Sequence, residues 1–210
     1  WLLLMKRQIP RNSTEKNISR FVSLKTSSIQ TTESLLEFDA CFHFEFYREI
    51  LSFRTQPQTY HYQLNNKTRR YTPDTLCNFD NGDAIFFEVK PKIRTLSDEF
   101  KEKFQAQREA ALEMGADLEL ITDEDIRIYP LLDNLKIIHR YACFDELDDL
   151  QRSILNLFQN YAEHRISSLL RHTKVHSTIF LPALYDLIAK QLLTINLHKS
   201  FNEDMLVTVA

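Results

Sequence analysis

Pro73-Asp74-Thr75-Leu76-Cys77-Asn78-Phe79-Asp80-Asn81-Gly82-Asp83-Ala84-Ile85-Phe86-Phe87-Glu88-Val89-Lys90 is the segment from which the rest of the chain can be read. Ala84 to Lys90 is a run of strand formers, whose side chains alternate between faces and advance about 3.3 Å per residue. Ile85, Phe87 and Val89 therefore share one face, and Glu88 and Lys90 the other. Asp80-Asn81-Gly82 suits a three-residue hairpin loop with the glycine in the left-handed region. Folding the preceding strand, Tyr71 to Phe79, back over that loop brings Asp74 opposite Glu88, fourteen residues further on.

Two carboxylates facing each other across an antiparallel pair lie roughly 5 Å apart at Cβ and repel. A compensating positive charge is required. A divalent cation supplies it naturally: Mg²⁺, for which Mn²⁺ can substitute, takes hard oxygen ligands and is commonly held by one or two carboxylates together with substrate phosphate. Lys90, next along the same face, can stabilise charge developing on that phosphate or position the attacking water. The set points to metal-dependent phosphodiester hydrolysis. The plainer alternative is that Asp74 is a turn residue after a proline while Glu88 and Lys90 form an ion pair on an edge strand.

The chain has 210 residues, above the usual single-domain size of roughly 100–150, so one large domain or two smaller ones are both open. No run approaches the roughly 18 apolar residues of a membrane helix, and no membrane association is expected. Trp1-Leu2-Leu3-Leu4-Met5 is too short for the core of a signal peptide, and Met5 reads as a candidate start. Cys41, Cys77 and Cys143 are odd in number and widely spaced. They read as reduced thiols of a cytoplasmic protein, not as a zinc site. The net charge of −3 gives no global sign of nucleic-acid binding. Locally, Lys67, Arg69 and Arg70 precede Pro73-Asp74, and Lys90, Lys92 and Arg94 lie at and after Glu88. These cations flank the proposed site where a phosphate backbone would pass.

Residues 1–26 read as a polar N-terminal arm, 27–142 as a catalytic domain and 143–210 as a small C-terminal domain. In the middle segment, Leu35, Leu36, Phe38, Phe42 and Phe46 recur at helical spacing between Thr31 and Tyr47. Short strands are expected over 50–53 and 59–64, with a turn at Asn65-Asn66. Beyond Pro91, a charged helix runs from Ser97 to Met114, with Gly115 placed as its C-terminal cap, and Asp117 to Thr122 is a further strand. The order implies a mixed sheet flanked by helices, with a right-handed strand-helix-strand crossover. After Tyr141 the pattern becomes three helices (146–161, 166–170, and 179–190 capped by Ser177) and a terminal strand pair over 193–197 and 206–209. That is the outline of a winged helix.

Several motifs together resemble the TnsA endonuclease family, the nuclease partner of heteromeric cut-and-paste transposases. They are Phe21-Val22-Ser23-Leu24-Lys25-Thr26, Glu33-Ser34-Leu35-Leu36-Glu37, Gln56-Pro57, Arg70-Tyr71-Thr72-Pro73-Asp74, Glu88-Val89-Lys90-Pro91, and Asn134-Leu135-Lys136 with Arg140-Tyr141. The resemblance implies an α/β restriction-endonuclease-like catalytic domain followed by a winged helix. It implies that Glu37 completes the site, that Asp74, Glu88 and the Val89 carbonyl bind metal, and that Lys90 is the catalytic lysine. It also implies cleavage of the non-transferred strand at the 5′ ends of a transposon. The partners would be double-stranded DNA at those ends, a TnsB-like transposase and a TnsC-like ATPase regulator.

Glu37 has a second reading, as the acid of a Ser34-x-x-Glu37 capping box, with Glu33 as the alternative site residue. Gln56-Pro57 reads as structural, and His43 and His61 as locally satisfied histidines. From Cys143 onward, six Lys and Arg face eight Asp and Glu, a balance of −2, which favours protein docking over base readout. Two rivals to the transposase subunit stay open: a stand-alone restriction or repair nuclease, and a non-catalytic module bridging DNA ends.

Overall fold

A computed structural model describes residues 18–210. The expected start at Met5 and most of the expected arm lie outside them. The chain divides into two compact units between Arg127 and Ile128.

The first unit begins with an antiparallel hairpin, β1 (Ser19–Ser23) and β2 (Ser28–Thr32). Sequence reading placed residues up to 26 in an extended arm and began the first helix at Thr31. Both limits are corrected, because Ser23 and Gln30 are buried and bonded to neighbouring elements. The Ser23 hydroxyl donates to Glu45 Oε2 at 2.6 Å, and Gln30 Oε1 accepts the Thr55 amide at 3.0 Å. Phe21 anchors the hairpin by packing edge-on against Phe38 and Phe42. Helix α1 (Leu35–Phe46) starts at Ser34, whose hydroxyl accepts the Glu37 amide.

Strands β3 (Ile50–Thr55), β4 (Tyr60–Leu64), β5 (Lys67–Tyr71), β6 (Thr75–Phe79) and β7 (Ala84–Lys90) follow. The single strand expected over 71–79 is two. Asn65 and Asn66 both adopt left-handed φ, 54° and 57°, so the chain turns back and β5 pairs only with β4. Thr72-Pro73 then separates it from β6. Gly82, at φ 91°, closes the next hairpin inside the Phe79 N–H to Asp83 carbonyl bond, as the sequence predicts.

Helix α2 (Asp98–Glu113) carries the chain across to β8 (Asp117–Thr122), which runs parallel to β7. Gly115, at φ 81°, ends α2: its N–H bonds the Leu112 carbonyl and the Ala116 N–H the Ala111 carbonyl, a Schellman cap. A short helix α3 (Asp123–Ile126) closes the unit.

The main sheet has strand order β3-β6-β7-β8, antiparallel except for the last pair. It is a mixed sheet flanked by helices, compatible with a restriction-endonuclease-like fold. β7 is central, which explains its unbroken apolar run. Phe86 is fully buried with Tyr60, Tyr62, Tyr71, Leu118 and Ala111 of α2, while Phe87 faces the opposite layer against Phe44 of α1.

The second unit contains α4 (Leu131–Tyr141), α5 (Asp149–Leu157), β9 (Glu163–Arg165), α6 (Ile166–Thr173), α7 (Ser177–Ala189), β10 (Leu193–Ile195) and β11 (Leu206–Val209). Sequence reading attached 131–141 to the catalytic domain, whereas α4 packs on α7, with Tyr141 stacked on Tyr185 and Asn134 bonded to the Leu197 and Lys199 carbonyls. The three strands form one antiparallel sheet in the order β10-β11-β9. α7 is capped by His176, whose Nδ1 accepts the Thr178 amide, not by Ser177 as predicted. Among the described residues no helix is long and apolar enough to cross a membrane.

Candidate functional site

The β6–β7 register pairs Thr75 with Phe87, so Asp74, one residue earlier, stands opposite Glu88. Two backbone bonds fix it there: the Asp74 N–H donates to the Phe87 carbonyl at 3.1 Å, and the Asp74 carbonyl accepts the Gln56 N–H at 2.8 Å. Gln56 is buried in the left-handed region, φ 46°. A non-glycine residue held in that region is strained, and such strain gathers at functional sites. The Gln56-Pro57 pair thus has the structural role expected of it, which is to hold the backbone of Asp74.

The side chains converge on one point. Lys90 Nζ lies 2.7 Å from Glu88 Oε1 and 3.4 Å from Asp74 Oδ2, and donates to the Val89 carbonyl at 3.3 Å. Asp74 Oδ2 also accepts the Val89 N–H at 2.8 Å, and Glu88 Oε2 accepts the Tyr71 hydroxyl at 2.5 Å. Both carboxylates are buried, while the Lys90 side chain is 32 % exposed and opens the cluster to solvent. The charge balance that the sequence assigns to a divalent ion is therefore met within the protein by Lys90, with help from a hydroxyl and an amide.

The electrostatics follow from that crowding. Burial, and then the Glu88 charge, push the Asp74 carboxyl up to about 8, against the pull of Lys90 and the Val89 amide. For Lys90, burial acts to lower the ammonium, but Asp74 and Glu88 more than offset it and hold it above its ordinary value. Tyr71 is raised far beyond the usual phenol range by burial and by Glu88, so it stays a proton donor.

Glu37 lies apart from this contact set. Its Oε2 accepts the Glu33 amide at 2.9 Å and its Oε1 the Ser34 hydroxyl at 2.8 Å, so both oxygens are engaged at the start of α1. It is nonetheless buried and close enough to feel the Lys90 charge, which draws its carboxyl down against the larger upward push of burial. Glu33, the alternative, is only partly buried and adds to that upward push. His43 Nε2 is bonded to the Ile126 carbonyl and His61 is exposed on β4, as expected of non-catalytic histidines. Tyr71 is the residue that sequence reading missed. Its signal was its place in Arg70-Tyr71-Thr72-Pro73-Asp74, directly ahead of the acid, but an aromatic residue there reads as core.

The donor set fits a hard cation. Two carboxylates and a carbonyl already surround one positive group, and no histidine or cysteine is bonded to them. Among the described residues no three of His, Cys, Asp and Glu gather as a metal site. Residues 47–123 match the family model described as TnsA-like endonuclease N terminal. The match contains Asp74, Glu88, Val89 and Lys90, and excludes Glu37 and the second unit. No curated protein matches the chain.

Proposed function

From a chain whose residues 47–123 carry a TnsA-like endonuclease N-terminal domain, we propose a Mg²⁺-dependent DNA endonuclease subunit of a heteromeric transposase. It hydrolyses the non-transferred strand at the 5′ ends of a transposon. The observation that carries the chemistry is the convergence of Asp74 Oδ2, Glu88 Oε1 and the Val89 carbonyl on a single cationic group. A divalent ion bound by those oxygens supplies neutralisation of the phosphate and an acidified water. The chain's own residues do the rest. Tyr71 holds one oxygen of Glu88 and leaves the other facing the site. Lys90, partly exposed, is free to turn its ammonium towards the phosphate, where a fixed positive donor stabilises the charge that develops during attack. Glu37, at the start of α1, completes the acidic wall.

In the second unit, the order α5, β9, α6, α7 and the β10–β11 hairpin, after α4, supports a winged helix, and the negative balance from Cys143 onward supports docking to protein. The partners proposed are a TnsB-like transposase and a TnsC-like ATPase, the latter through this unit.

The deciding test is Asp74→Ala in a reaction containing a transposon-end duplex and the partner transposase. Loss of 5′-strand cuts, with 3′-strand cuts retained, is expected; persistent double-strand breaks would remove the assigned site. Cutting by the wild-type protein without any transposase would instead favour a stand-alone nuclease. One observation favours a non-catalytic bridging module: Lys90, the Tyr71 hydroxyl and the Val89 amide already engage both carboxylates within the protein. Calorimetric titration with Mn²⁺ separates the two, because the nuclease reading requires binding that Glu88→Ala abolishes.

A further inference from the structure

The β4–β5 hairpin belongs to neither edge of the main sheet. Its inner face is committed to the core through Tyr60, Tyr62 and Tyr71. The hairpin is strongly one-signed: residues 59–72 contain Lys67, Arg69 and Arg70 and no aspartate or glutamate. All three cations are exposed, and among the described residues none has a carboxylate partner. Other cations of the unit are paired, Arg108 to Asp117, Arg127 to Asp39 and Lys92 to Glu124, but what sets the hairpin apart is three cations within four residues with no acid in the hairpin itself.

Position adds to charge. Arg70 is followed directly by Tyr71, the residue whose hydroxyl holds Glu88. In the β4–β5 register Arg69 stands opposite Tyr62 and Lys67 opposite Leu64, on the face of Tyr71, while Arg70 stands opposite His61 on the other face. At about 3.3 Å per strand residue Lys67 and Arg69 are roughly 6.6 Å apart, close to two phosphate steps of about 3.4 Å along one strand of a duplex.

We infer that the β4–β5 hairpin is the surface that grips the duplex phosphate backbone beside the scissile phosphate, through Lys67 and Arg69, which share a face with Tyr71. This rests on the nuclease reading above, and it names where the substrate lies. Contacts of this kind set register on the duplex and carry no base preference. Because β5 bears both the phosphate contacts and Tyr71, a gripped duplex is tied through one strand to the site carboxylate.

The test uses the full chain and a fluorescein-labelled 30-base-pair duplex of arbitrary sequence, with anisotropy followed over a series of NaCl concentrations. Each phosphate contact contributes about 0.9 to the slope of log affinity against log salt. The variant Lys67→Ala/Arg69→Ala is expected to lose about 2 from that slope and at least about fivefold in affinity at 0.1 M salt, with no change in thermal midpoint because the side chains are exposed. An unchanged slope, or no duplex binding by the wild type, overturns the hairpin assignment. Strand cleavage scored on the same proteins keeps the two claims apart: Asp74-dependent cutting with an unchanged slope leaves the nuclease standing without the hairpin. A reduced slope with cutting that survives Asp74→Ala does the reverse.

Discussion

At the residue scale, the site is a problem in placing charge inside a protein, and Tyr71 and Asp74 are where the solution can be measured. The Tyr71 hydroxyl is bonded to a buried oxygen of Glu88, and a buried acceptor stripped of its donor costs about 1–3 kcal/mol. Tyr71→Phe is therefore expected to lower stability by that amount, read from the urea midpoint. Asp74 gives a pH signature. Its folded value, about 8, lies above the ordinary carboxylate value of about 3.9, so between the two the folded state binds more protons than the unfolded state. The stability from this proton is complete below the unfolded value and is lost as pH rises through the folded one. In chelator, the thermal midpoint should fall from pH 5 to pH 8 relative to Asp74→Asn. Parallel profiles for the two proteins would show that the carboxyl is not perturbed.

At the scale of elements, the start of α1 joins folding to chemistry. The bonds from Ser34 and Glu33 to Glu37 form a capping arrangement, and removing such a cap costs about 1 kcal/mol. Ser34→Ala should show that loss in a denaturation curve while leaving cleavage intact. Glu37→Gln keeps hydrogen-bonding oxygen at the cap but removes the charge near Lys90. A fall in cleavage of at least about tenfold is expected, on the scale of a lost electrostatic contributor, and unchanged cleavage would assign Glu37 to capping alone. The hairpins were legible from sequence because turn chemistry is local: Asn65-Asn66 and Asp80-Asn81-Gly82 form the turns expected of them. The β1–β2 hairpin was not, since its buried polar residues resemble those of a solvated arm until their partners on α1 and β3 are known.

At the scale of the whole molecule, all five residues of the contact set, Tyr71, Asp74, Glu88, Val89 and Lys90, fall in the unit that ends at Arg127. A fragment of residues 1–127 is accordingly expected to unfold cooperatively and to bind Mn²⁺ within a few-fold of the full chain by calorimetry; loss of binding would mean that residues beyond 127 contribute to the site. The boundary itself escaped the sequence pattern. α4 is amphipathic in its own right, and periodicity shows that a helix has an apolar face but not which unit it covers. Sequence alone determined the strand alternation, the loop at Gly82 and the opposition of Asp74 and Glu88, because register across a tight hairpin follows from residue spacing. Only the tertiary structure decided that Lys90 and Tyr71 engage those acids, that Glu37 spends its oxygens on a helix start, and that the cations of β5 are exposed without a carboxylate partner among the described residues. Each of these depends on residues brought together from separate elements, and the energy of a charge is set by what surrounds it in space.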